Sequence, residues 1–218
     1  MKKINIALSL FLIILVCQSC WLRAAKEALG IARDVKDLIA LGTEIVEIMN
    51  EFSEQSNEFV TNVNEIQTTA VTGFNEGKPT NDIAIFWEGE WKGIHSKYDD
   101  LRTSLNAIDV KTNSYFEELT KNNLSISDST LRKTDAEQNL QLREKYNIER
   151  QKAIEGLDKA QEMLKKGDDL NYVLRNQVLR SAVEQNIQVI NEIALQAKGL
   201  TESIQSFTTN CKPLFQTN

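Results

Sequence analysis

From Trp87 the large apolar side chains return at Trp91, Ile94, Tyr98, Leu101, Leu105, Ile108, Tyr115 and Leu119, with Thr112 on the one polar rung. The steps alternate four and three, the repeat of two helical faces meeting along a seam. A strand alternates every second residue and cannot produce it. The spacing therefore predicts a long helix from Thr80 to about residue 122.

Three further stretches carry the same period. The first runs from Leu22 to Phe74, through Ala32, Val35 and Ile39, slips near Gly42, then continues through Ile45, Met49, Phe52, Phe59, Val63, Ile66 and Ala70. The third runs from Thr130 to Lys166, through Leu142, Tyr146, Ala153, Leu157, Ala160 and Leu164, after the very polar RKTDAEQNLQ. The fourth runs from Asp169 to Leu214, through Leu174, Val178, Ala182, Val189, Ile193, Ala197, Leu200, Ile204, Phe207 and Cys211. Val183, Ile187, Ile190 and Ala194 widen its apolar face, which places it most centrally.

Breakers separate these stretches. GFNEGKPTND offers Gly77 and Pro79, with Thr80, Asn81 or Asp82 as the next cap. NNLSISDS is rich in cap and turn formers. KKGDD reads as the close of the third helix, Gly167 following its last residue and Asp168 or Asp169 opening the fourth. Pro213 ends the last. Helices of about 40 residues span roughly 60 Å, and short turns make neighbours antiparallel. The expected fold is all-α, an elongated antiparallel four-helix bundle with coiled-coil-like seams over residues 31–215. A coiled-coil hairpin completed in trans by a second copy, a homo-oligomer, fits the same periodicity.

The N-terminus follows a different pattern. Met1-Lys2-Lys3 precedes an apolar run from Ile4 to Val16, too short to span a bilayer but matching the basic and apolar regions of an export signal. The run ends at CQSC. Cys17 and Cys20 have the spacing of a redox dithiol or half a zinc site. A thioredoxin-like pair belongs to a strand–helix unit, and none follows. Zinc needs four ligands, and the remaining candidates, Cys211 and the single histidine, His95, are distant in sequence.

An apolar run closed by Ser19-Cys20 resembles the signal peptide of bacterial lipoproteins. Ser19 fits the small residue before the modified cysteine, while Cys17 and Gln18 depart from the usual pair ahead of it. The resemblance covers residues 1–20 only. It implies alkylation of the Cys20 thiol by a diacylglyceryl group, removal of residues 1–19, and a membrane anchor. Residues 20–30 then form a stalk, or lie at the membrane surface, and the expected location is a cell membrane or outer membrane, facing the periplasm or exterior. A Cys20 left unacylated could pair with Cys211 instead.

Charge and composition narrow the functions. The chain has 25 basic and 31 acidic side chains, and loss of Lys2 and Lys3 with the leader deepens the excess. That argues against nucleic acid, which needs a basic stripe, and makes the acyl chains the expected membrane contact. Two prolines in 218 residues agree with long helices. Any Ser-His or Cys-His nucleophile must use His95, which flanks a seam position. The sequence has no Glu-x-x-His of di-iron bundles and no phosphate loop or dinucleotide fingerprint. Acidic pairs such as Glu117-Glu118 and Asp168-Asp169 read as solvated or capping groups. No catalysis, metal or cofactor is expected.

Two local features remain. IFWEGEW sets Phe86, Trp87 and Trp91 near one end of the second helix, either plugging the core or anchoring a partner. Gly89-x-x-x-Gly93 within it reads as a site of close backbone packing, being too charged for lipid. The polar segment 132–145 reads as a solvated flank at the opposite end. The expected function is a lipid-anchored binding, scaffold or spacer protein with a partner in the envelope. A pore-forming or effector bundle resembling the helical cytolysins in outline is the alternative, and a sensor bundle a third.

Overall fold

The computed structural model describes the backbone of residues 2–176 and 183–216, and the side chains of 36–176 and 183–216. Four helices follow one another: α1 (Lys2–Asn75), α2 (Thr80–Leu124), α3 (Ser129–Asn176) and α4 (Val183–Phe215). Among the described residues there is no strand. The expected all-α four-helix bundle is what forms. Cys17, Cys20 and the stalk 21–30 fall outside the residues whose side chains are described.

α1 packs side by side with α2 and α4, and α3 with α2 and α4, while the diagonal α2 and α4 meet through core side chains where Phe215 reaches Tyr115 and Phe116. Every helix thus has two neighbours, so α4 is no more central than the rest, despite its wider stripe. Cross-links show the direction of each pair. Glu44 meets Lys111 and Glu58 meets Lys97 across α1–α2. Ser56 meets Thr201 and Gln67 meets Asn191 across α1–α4. Sequence numbers rise on one helix as they fall on the other, so all neighbours are antiparallel. The 45 residues of α2 make a rod of about 67 Å.

The seam positions fill the core. Ile45, Met49, Phe52, Phe59, Trp87, Ile94, Leu101, Ile108, Met163, Leu174, Ile190 and Phe207 are all fully enclosed. Among the buried polar side chains, Ser56 and Thr201 face each other across α1 and α4. The Ser56 hydroxyl donates to Thr201 Oγ1 at 3.0 Å, and that hydroxyl donates to the Ser56 carbonyl at 2.9 Å. A buried pair satisfied only by its opposite number fixes the register of α1 against α4.

The turn after α1 has the chemistry its residues suggest. Gly77 takes a left-handed φ of 75°, and the Lys78 N–H donates to the Gly73 carbonyl at 2.9 Å, closing the helix. α2 then begins behind Pro79 with no side-chain cap, so Thr80, Asn81 and Asp82 are not used in that way. At the next turn Asp128 does cap, its Oδ1 accepting the Thr130 and Leu131 N–H groups at 2.8 and 2.9 Å.

Two boundaries and one core position differ from expectation. α3 does not stop at KKGDD but continues to Asn176, so Leu174 belongs to α3, while Val178 and Ala182 fall outside the described residues. α4 continues past Pro213 to Phe215. Near the end of α2 the core position is Phe116, with Tyr115 only half-buried. An α-helix drifts relative to a strict seven-residue repeat, and the wholly apolar ring takes the inner place.

Candidate functional surface

Trp87 and Trp91 share a face of α2 and stack, ring centroids 4.9 Å apart and planes 19° from parallel. Both are buried. The Trp87 indole N–H donates to the Gly167 carbonyl at 3.0 Å, and that of Trp91 reaches the Leu164 carbonyl at 3.4 Å. Gly167 is the reason the rings fit. A Cβ built there would overlap the six-membered ring of Trp91. The glycine read as a helix stop is a notch in a continuous helix, cut for an indole on its neighbour.

The two tryptophans therefore plug the core, and of the three aromatic residues singled out only Phe86 keeps exposed surface. It lines a cleft between α1 and α2 with Asn62, Glu65, Ile66, Thr69, Glu90, Gly93 and Ile94. At about 220 Å³ the cleft is below the roughly 300–1,000 Å³ of small-molecule sites. Gly89 and Gly93 do not serve close packing, since a Cβ at either meets nothing within 4 Å. Gly93→Ala should therefore raise stability by about 0.5–1 kcal/mol through helix propensity alone. Urea unfolding followed by circular dichroism will show it.

Beside this region lies a strip of ions. Glu88 pairs with Arg175 and, at 3.6 Å, with Lys92. His95 and Asp168 meet at 2.9 Å, both nearly half exposed. Asp168 is thus a mid-helix partner for His95, not a cap. A histidine beside a carboxylate is two-thirds of a nucleophilic triad, but among the described residues His95 hydrogen-bonds no serine, threonine or cysteine. No group of three His, Cys, Asp or Glu among the described residues is placed to hold a metal ion.

The other end of the bundle holds a second aromatic assembly that no local stretch announces. Tyr146 of α3 meets Phe116 of α2 and Phe207 and Phe215 of α4 at 6.0–6.3 Å, and Phe52 of α1 meets Phe207 at 6.2 Å. Asp109 ties this cluster to the surface. It accepts the Tyr146 hydroxyl at 2.7 Å and both arms of the Arg150 guanidinium at 2.6 Å. Burial, and then the bond to Asp109, hold the Tyr146 hydroxyl far above the usual range. The Arg143 guanidinium caps the Phe116 ring at 5.0 Å.

Cys211 lies in the same layer, fully buried. Burial, and then the charge of Glu149, push its thiol from 9.0 up to about 12. The unfolded chain releases this proton first, so the contribution to stability is complete below 9.0 and is lost as the pH rises toward about 12. Near neutral pH the folded chain should resist alkylation at Cys211, and urea should expose it. Denaturation midpoints should fall steadily through the alkaline window. A midpoint flat across that window would contradict the burial of the thiol.

Among the described residues no helix is long and apolar enough to cross a membrane. Compared with protein-family models, curated proteins and solved structures, the chain matches none.

Proposed function

We propose that this protein is a lipid-anchored, non-catalytic helical bundle of the cell envelope that acts as a binding, scaffold or spacer protein. The observation that carries the reading is the junction at Cys20, an apolar leader closed by Ser19-Cys20 directly ahead of long heptad-patterned helices. The bundle supports it by its form. A rod whose core is packed along its length is stiff, and a tether at one end fixes where the other end stands. The mechanism is presentation. Acyl chains on Cys20 hold the end at which the chain enters the bundle, and the far end is held on the order of 60 Å further out.

That far end is where a protein partner in the envelope would meet the rod. It carries the Phe86 cleft, the bare backbone at Gly89 and Gly93, and Ile85 and Tyr172, 60% and 67% exposed. Metabolic labelling with palmitate tests the anchor. The wild type should be labelled and Cys20→Ala should not. Equal labelling of both would refute it.

A further inference from the structure

Resting on the Cys20 anchor just proposed, we infer that the α2–α3 turn is a second membrane contact, its tip docking on the bilayer surface to which the chain is tethered. The chain enters the bundle at the same end as this turn, where Gly42 of α1 lies against the Phe215 carbonyl of α4. α4 stops there. Its last ring, Phe215, touches Tyr115, Phe116 and Tyr146. α2 continues beyond that level to Leu124, and α3 returns from Ser129. The hairpin thus projects past α4 by on the order of 20 Å.

Cys20 precedes Gly42 by 22 residues (42 − 20), about 33 Å along a helix. The hairpin covers more than half of that distance on the membrane side, and a lean of the rod by some tens of degrees, across an interhelix spacing of about 10 Å, closes the remainder. The projection is held firmly rather than left loose. Asn123 Nδ2 donates to the Arg132 carbonyl at 2.7 Å and to Asp135 at 2.8 Å, pinning one helix to the other just behind the turn.

The tip has the surface that a lipid headgroup layer favours. Leu124 and Leu131 flank the turn at 70% and 63% exposure, and Ile126 between them is half-buried. Within 119–133 the charged side chains are Lys121, Asp128, Arg132 and Lys133. Glu118 and Glu137 stand behind the tip, pairing with Lys121 and Lys133 at 3.1 and 3.9 Å. In an acidic chain of net charge −6, the outermost residues of this end thus carry three cations to one anion, with Glu117 and Asp135 also set back behind them. Two leucines and a few cations bind a membrane weakly alone. Tethering raises their effective concentration at the surface enough for the contact to persist.

The test uses the full chain, expressed with palmitate and reconstituted into phosphatidylglycerol–phosphatidylcholine vesicles whose acyl chains are brominated. A genetically encoded fluorescent amino acid replaces Ser127 at the tip or, as control, Glu76 at the opposite turn. Quenching at 127 but not at 76 in palmitate-labelled protein is the expected result. Leu124→Gln with Leu131→Gln should abolish that quenching while helicity and labelling stay unchanged, since both side chains are exposed. Labelled protein without quenching at 127 overturns the docking and leaves the anchor standing. Quenching at 127 without label upholds the docking and removes the anchor. Neither signal removes both, and equal quenching at 127 and 76 overturns the docking by showing a rod that lies flat.

Discussion

Trp87→Ala should cost about 4–5 kcal/mol, the upper part of the range for removing a buried Trp or Phe. The side chain is fully enclosed, and three losses coincide at one position. The cavity left is indole-sized, in a layer where helix backbones on four sides prevent collapse. The stacking on Trp91 disappears, worth about 0.5–1.5 kcal/mol beyond area. The hydrogen bond to the Gly167 carbonyl goes too. For a chain of this size the melting temperature should fall by roughly 10–20 °C. Thermal and urea unfolding followed by circular dichroism will measure it, because the substitution also alters tryptophan fluorescence. A change below about 1 kcal/mol would mean that the indole is on the surface.

Gly167→Ala is the second large effect, and its sign is informative. Inside a helix this change normally stabilises, by about 1 kcal/mol. Here the new methyl overlaps the Trp91 ring, which is stacked on Trp87 and cannot swing aside as a flexible chain end could. Overpacking of this kind costs about 1–3 kcal/mol, occasionally more, and a trapped ring puts this site at the top of the range. We expect a net loss of about 2–3 kcal/mol, against a gain at Gly93. The cause is testable by coupling. Adding Trp91→Leu, which vacates the space, should return at least about 1 kcal/mol relative to the sum of the single changes. Strict additivity would disconnect the glycine from the indole.

The same glycine shows where sequence reading stops. Basic residues, a glycine and two aspartates in KKGDD match every local sign of a helix end. What overrides them is Trp91, more than seventy residues earlier in the chain, to which Gly167 gives room. Gly89-x-x-x-Gly93 misleads in the opposite way. Spacing shows that two glycines share a helix face, but not whether anything approaches that face.

Periodicity was a better guide to the fold because it records burial directly. A side chain recurring every three or four residues from 87 to 119 must face one neighbour, and a helix is the only element that arranges this. The candidate surface was less legible. Phe86 keeps exposed surface in the α1–α2 cleft, while its two companions turn inward to the Gly167 notch. The Tyr146 cluster, with rings from all four helices, and the Asp109–Arg150 clamp have no local signature, since their members are tens of residues apart. The projecting hairpin follows from where α4 ends relative to its neighbours, a length comparison that needs the assembled bundle.

The central claim is a rod held upright by one end. Neutron reflectometry of the palmitate-labelled protein on a supported bilayer measures the layer's thickness along the membrane normal. A rod standing on that end, from Cys20 to the turn after α1, should give a layer of roughly 60–80 Å, the rise of that length of helix with and without the lean that sets the α2–α3 turn on the bilayer. A layer of about 20–25 Å, two helix diameters, would mean that the bundle lies on its side and presents nothing at a distance.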